Sequence, residues 1–276
     1  MKLRYLTCCV LAASCFSLPA FADSDDMNPD LPAPDIGQYT AYAPPQPSRI
    51  KLFFEHVYIS GKIGVAFMRT TAITTNTAEL INNVPSATPQ YPIAEDEQIS
   101  KGIAVGYNLP SFEDTLFNRL EIEYVSRSNF NYNAVPIVVG GNFNTTSLSS
   151  TIDNQTLFAK WYTEIKFGHF PLRPFLVGGL GLARNKIKSN SYFVDQSEGN
   201  PALNGSSTVT KNNLGWSLGA GIAYPITKHF SVDADYELVW LGHLQWNIPT
   251  NLGYTAVLQS NRFYANTING DLRITL

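Results

Sequence analysis

The sequence predicts an all-β chain: an eight-stranded antiparallel up-and-down transmembrane β-barrel with four long extracellular loops. Three observations lead there. From Phe230 to Trp240 every second residue is apolar (Phe230, Val232, Ala234, Tyr236, Leu238, Trp240), and Ser231, Asp233, Asp235 and Glu237 hold the positions between. Period two marks a strand with two unlike faces. The ten steps from Phe230 to Trp240 cover about 33 Å at about 3.3 Å per residue, and a tilt of about 40° projects this to about 25 Å, the height of a lipid-facing barrel band. Segments of this kind recur eight times, joined by connections that alternate long and short.

Composition is compatible with that fold. Charged residues make up 15% and aromatics 12% of 276 residues, with Tyr 14 and Phe 16. Aromatics suit both strands and membrane-interface belts. No apolar run reaches the roughly 20 residues of a membrane-spanning helix. Residues 1–22 read as a secretory signal peptide: Lys2 and Arg4, an apolar stretch from Tyr5 to Ala13, and Ala20-Phe21-Ala22 before Asp23. A lipidated Cys15 is the competing reading, but the usual leucine three places earlier is missing. Cys8, Cys9 and Cys15 all lie in the leader, so a chain starting at Asp23 has no disulfide and no Cys-based metal or redox site. Losing Lys2 and Arg4 leaves 17 of the 19 bases against 22 acids, a net charge of −5. Nothing in that balance points to nucleic acid. Residues 23–51, rich in Pro, Ala and Asp, read as an extended periplasmic tail, and 52–276 as the barrel.

The strands follow in order. His56 to Met68 sets Val57, Ile59, Ile63, Val65 and Phe67 against Tyr58, Ser60, Lys62, Gly64 and Ala66. Ile99 to Asn108 sets Ile103, Val105 and Tyr107 against Gly102, Ala104 and Gly106. A short turn at 109–116 leads to Leu120, Ile122 and Tyr124 against Glu121, Glu123 and Arg127. Gln155 to Phe167 sets Leu157, Ala159, Trp161, Ile165 and Phe167 against Lys160, Tyr162, Glu164 and Lys166. Pro174 to Ile187 is apolar on both faces, and its sides stay unassigned. Asn213 to Tyr224 sets Leu214, Trp216, Leu218, Ala220, Ile222 and Tyr224 against Gly215, Ser217, Gly219, Gly221 and Ala223. A turn at 225–228 precedes the Phe230 strand, and Arg262 to Leu276 closes the set. Stretches 70–97, 129–153, 188–212 and 243–260 read as the long loops. Short turns on one side and long loops on the other give both termini to the periplasm in an outer-membrane barrel.

Eight strands leave a lumen that side chains fill. It receives the candidate charge network Lys62, Glu121, Glu123, Lys160, Glu164, Lys166, Asp233, Asp235, Glu237 and Arg273, together with Arg127 and Asp271. Buried charges must pair, and strand order predicts Arg273 near Asp233 or Asp235, with Lys62 close by. Phe167, Trp216, Tyr224, Phe230 and Trp240 are the candidate membrane-interface aromatics.

The leader, the hairpin GWSLGAGIAYPITKHFSVDADYELVW (Gly215 to Trp240) and the preceding PFLVGGLGLAR strand resemble the OmpA-like and opacity-protein class of eight-stranded outer-membrane surface barrels. The chain departs from the habit of that class by ending in Leu276 where a Phe often stands. The resemblance implies a surface antigen or adhesin of the cell envelope. Its partners would be outer-membrane lipid and lipopolysaccharide, the barrel-assembly machinery, and a host or envelope ligand at the loops. Enzyme motifs are weak. His56, His169, His229 and His243 lack metal-ligand spacing. His229-x-Ser231 is similar to the H-x-S pair of lipid A deacylases, but it sits beside a short turn on the lumen face. Gly179-Leu180-Gly181 lacks the third glycine of a dinucleotide loop. The sequence therefore points to a non-enzymatic surface barrel with no metal or cofactor. The alternatives are a narrow pore, a lipid-modifying barrel enzyme, or a soluble lipid-carrying barrel with Asp233, Asp235 and Glu237 facing water.

Overall fold

The computed structural model describes residues 55–71, 73–76, 90–91, 94–110, 115–134, 138–139, 143–168, 170–195, 203–249 and 255–276. The expected leader and Pro-rich segment, His169, and parts of the turn at 109–116 and of each expected loop lie outside them. Eight long strands wind in chain order: β1 Val57–Thr70, β2 Ala94–Asn108, β3 Leu116–Ala134, β4 Phe143–Ile165, β5 Arg173–Asp195, β6 Leu203–Pro225, β7 Phe230–Pro249 and β8 Thr255–Thr275. Each pairs antiparallel with the next, and β8 returns to pair with β1, which closes the barrel. Two short segments, Ile73–Asn76 and Gln90–Tyr91, extend the sheet beyond β8, and Val138–Val139 pairs with β4.

The registers set the barrel's width. Partners followed around the wall run Tyr58, Gly106, Glu121, Lys160, Gly179, Ser217, Val239, Ala265 and back to Met68, ten residues from the start. That stagger over eight strands gives a tilt of about 40° and a backbone radius of roughly 8 Å. So narrow a tube is filled by its own side chains.

Polarity is inverted, as the alternation predicts. Ile63, Ile103, Ile122, Leu157, Leu218, Tyr236 and Ile268 are exposed on the outer wall, whereas Lys62, Glu123, Lys160, Asp235 and Glu237 are buried inside. The unassigned strand resolves: Leu176, Leu180 and Leu182 of β5 face outward, and Phe175, Val177, Ala183, Asn185 and Ile187 face inward.

The long loops are a correction. Strand pairing continues through much of 129–153, 188–212 and 243–260, because β3 runs to Ala134, β4 starts at Phe143, β5 reaches Asp195 and β7 reaches Pro249. Bulges hide this from a period-two reading in 129–153 and 243–260, whereas in 188–212 the β5–β6 register is unbroken and both faces are polar, as at Lys188, Ser189 and Asn190. β3 slips between Arg127 and Phe130, at Asn129 (φ 66°), and its inward set shifts from Arg127 to Phe130 and Tyr132. β7 slips around Gly242 (φ 91°), and its inward set shifts from Leu241 to Leu244. At the opposite end the strands stop abruptly, and the β6–β7 turn closes with Ile226 N–H donating to Phe230 O (2.9 Å).

Candidate functional site

The candidate site is the lumen, and it is layered. Nearest the chain's C-terminus lies an arginine layer. Arg119 of β3 reaches across to Asp233 of β7 (Nη1 to Oδ2, 2.9 Å) and to Glu164 of β4 (3.4 Å). Arg273 of β8 donates to Glu164 on the opposite wall (3.0 Å) and lies 3.5 Å from Asp233. The guanidinium of Arg119 sits 3.9 Å from the ring centre of Tyr162, and the Arg273 guanidinium is 5.4 Å from that of Tyr58. The expected neighbourhood of Arg273 and Asp233 is present, and Glu164 joins it.

Above those rings lies the lysine layer. Lys62 Nζ approaches Glu123 (2.6 Å), Asp271 (3.3 Å), Asp235 (3.6 Å) and Glu237 (3.6 Å). Lys160 Nζ lies 2.7 Å from both Glu123 and Glu237. β3 and β7 stand on opposite walls, so these contacts tie the barrel across its axis. Glu121 has no cationic partner among the described residues; it accepts from the hydroxyls of Tyr58 (2.9 Å) and Tyr162 (3.2 Å). Small inward residues make room: a side chain on Gly106 would strike the Tyr58 ring, and one on Gly219 would meet Glu237 Cγ.

The third layer is apolar. Ala66, Met68, Phe130, Tyr132, Ile152, Phe158, Val239, Leu241, Phe263 and Ala265 pack together inside the barrel. Three asparagines edge this layer: Asn154 donates to Asn185 (2.7 Å), Asn185 to Leu241 O (3.0 Å), and Asn213 to both Leu241 O (3.1 Å) and His243 O (2.9 Å). These bonds hold the Gly242 bulge. Arg127 donates to Asn154 and Thr156 (both 3.2 Å).

Of the ten network residues, nine are buried in these two charged layers. Lys166 is a correction: it lies one residue past the end of β4 and is exposed, because the strand stops at Ile165 and the wall no longer turns its side chain inward. Arg119 was missed, yet it is two residues before Glu121 on the same face, so running the alternation back one step finds it. The apolar layer also had a signal, since the inward set of β7 turns from Glu237 to Val239 and Leu241. Phe167, Trp216, Tyr224 and Phe230 are exposed on the outer wall. Trp240, half-buried, stacks on Trp216 with ring centres 6.3 Å apart. His229 Nδ1 lies 3.2 Å from Thr275 O, and Ser231 lines the lumen mouth, so this pair sits at the abrupt end of the barrel. No cluster of three metal-ligating side chains occurs among the described residues.

An inverted eight-stranded barrel with a charged, filled interior is the architecture of a bacterial outer-membrane protein. The chain belongs to the outer membrane protein beta-barrel domain family, whose model matches residues 8–269. Outer membrane protein PagN of Salmonella typhimurium is 23% identical over 191 residues, covering 68% of this chain and 75% of PagN. Among solved structures, the outer membrane protease OmpT of Escherichia coli superposes with a TM-score of 0.50 at 8% identity, covering 80% of this chain and 97% of OmpT. Neisserial surface protein A gives a TM-score of 0.41 at 13% identity, with 80% and 97% covered. The structural likenesses concern the fold alone. The family places the chain in the bacterial outer membrane as an OmpA-like barrel.

Proposed function

We propose that the chain is a non-enzymatic surface barrel that presents one raised end to the outside of the cell, as a structural envelope protein and adhesin. One observation carries this reading: the barrel overshoots its apolar belt at one end only. The outward stripe of β5 runs Leu176, Leu180, Leu182 and then turns to Arg184, Lys186 and Lys188, all exposed. β5 continues to Asp195, thirteen residues past Leu182, which at the strand tilt is about 30 Å beyond the lipid. At the other end Ile165, Arg173, Pro225 and Phe230 mark strand ends close to the belt. The raised end faces outward, both termini lie in the periplasm, and the connections β1–β2, β3–β4, β5–β6 and β7–β8 meet the ligand. Arg184, Lys186 and Lys188, exposed just past the apolar belt, support contact with the phosphates of lipopolysaccharide, and the alternation of Leu272, Ile274 and Leu276 supports recognition by the assembly machinery.

The filled lumen supports an anchor over a pore, since cross-axis ion pairs and an apolar plug lie in series. His229 and Ser231 at the mouth, away from lipid, support a non-enzyme over a lipid-modifying barrel. Protease shaving of intact cells with mass spectrometry tests the topology. Cuts are expected only in the four connections at the raised end, and cuts at 109–116 or 225–228 would overturn it. Planar bilayers containing the protein are expected to show background conductance; a steady open state would restore the pore.

A further inference from the structure

The abrupt end of the barrel opens into a cavity of about 310 Å³, the lower end of the range of small-ligand pockets at about 300–1,000 Å³. Its wall is basic. Arg119, Arg173 and Arg273 line it with Lys228 at the rim, and Asn118 and Ser231 add neutral hydrogen-bonding groups. Glu164 is the one acidic lining residue among those described. That carboxylate is shared by three guanidinium groups, at 3.0 Å from Arg273, 3.4 Å from Arg119 and 3.9 Å from Arg173. Arg119 and Arg273 are further engaged by Asp233 behind the wall.

Arg173 is different. Its contact with Glu164 is the longest of the three, its side chain is 27% exposed, and its guanidinium is steadied 4.9 Å from the ring centre of Phe117. The fork is held, while its donors remain open to the cavity. Lys228 makes no ion pair among the described residues. Four lining cations therefore meet two carboxylates, Glu164 in the lining and Asp233 beyond it, and the rings of Tyr58, Tyr162 and Phe175 lie 3.9–5.8 Å from the Arg119 guanidinium. A planar guanidinium with free donors in a partly dry site binds carboxylate oxygens in pairs.

We propose that this mouth is an oxyanion site that takes a small carboxylate, gripped by Arg173 and drawn in by Lys228. It lies at the far end of the barrel from the surface ligand. Only the compartment that supplies the carboxylate, the periplasm, rests on the orientation proposed above. The test uses the full barrel folded in detergent micelles, titrated calorimetrically with N-acetylglycine, its amide, and inorganic phosphate. The acid is expected to bind saturably and the amide not at all. Arg173→Gln is expected to weaken binding at least tenfold and Lys228→Glu several-fold, with circular dichroism unchanged. Lys228 is an exposed rim residue, so its variant stays informative if Arg173→Gln folds poorly. Equal responses to acid and amide would overturn the site, as would affinity unchanged in both variants. Phosphate binding without N-acetylglycine binding would overturn the carboxylate assignment. Micelles have no sidedness, so failure here leaves the shaving result untouched, and the reverse holds.

Discussion

Replacing Lys160 with methionine tests whether the charged layers carry the barrel's stability. Lys160 is 2% exposed and lies 2.7 Å from both Glu123 and Glu237. At an effective dielectric of about 20, one such contact is worth about 6 kcal/mol of Coulomb attraction, most of which desolvation of the two ions offsets. Removing one partner leaves the desolvation cost behind, so a broken buried pair typically loses about 3–5 kcal/mol. Here Lys62 still faces Glu123 at 2.6 Å and Glu237 at 3.6 Å. The expected loss for Lys160→Met is therefore about 3 kcal/mol, near the lower bound. Glu237 is the carboxylate left worse served, so adding Glu237→Gln should regain about 1–2 kcal/mol. The assay is urea unfolding in phospholipid micelles followed by tryptophan fluorescence, at low and high salt. Because these ions are out of reach of bulk electrolyte, the loss should change little with salt. A loss under about 1 kcal/mol, or one that salt abolishes, would refute the claim that these ions are dry and mutually dependent.

Phe158→Ala empties part of the apolar plug and should cost about 3–5 kcal/mol in the same titration, as the Phe158 ring is buried against the inward glycines Gly181 of β5 and Gly215 of β6. Gly242→Ala should lose about 1–2 kcal/mol for a side chain at positive φ, and more from collision with Asn213, whose amide holds the bulge; a neutral result would show that the β7 register is set elsewhere. A variant that keeps Trp216 as its sole tryptophan should be strongly quenched by brominated phospholipid. Unquenched emission would mean that Trp216 is packed inside.

Period-two alternation alone determined the strands, their inside and outside faces and the inverted polarity. Lys62, Glu123 and Asp235 fall on one parity and Ile63, Ile122 and Tyr236 on the other, and in a strand parity is side. It also carried the neighbourhood of Arg273 and Asp233, which follows from closing eight strands in order. Three things needed the tertiary structure. The strand ends needed it because a bulge inverts parity, so pairing beyond Asn129 and Gly242 reads as irregular sequence. The sides of β5 needed it because Leu176 and Val177 are equally apolar, and only the registers with β4 and β6 choose between them. The partners of each ion needed it because the ten-residue stagger decides which opposite-wall residues share a level. It places Lys160 between Glu123 and Glu237, gives Glu121 to two tyrosine hydroxyls, and leaves Arg173 with an open fork at the mouth.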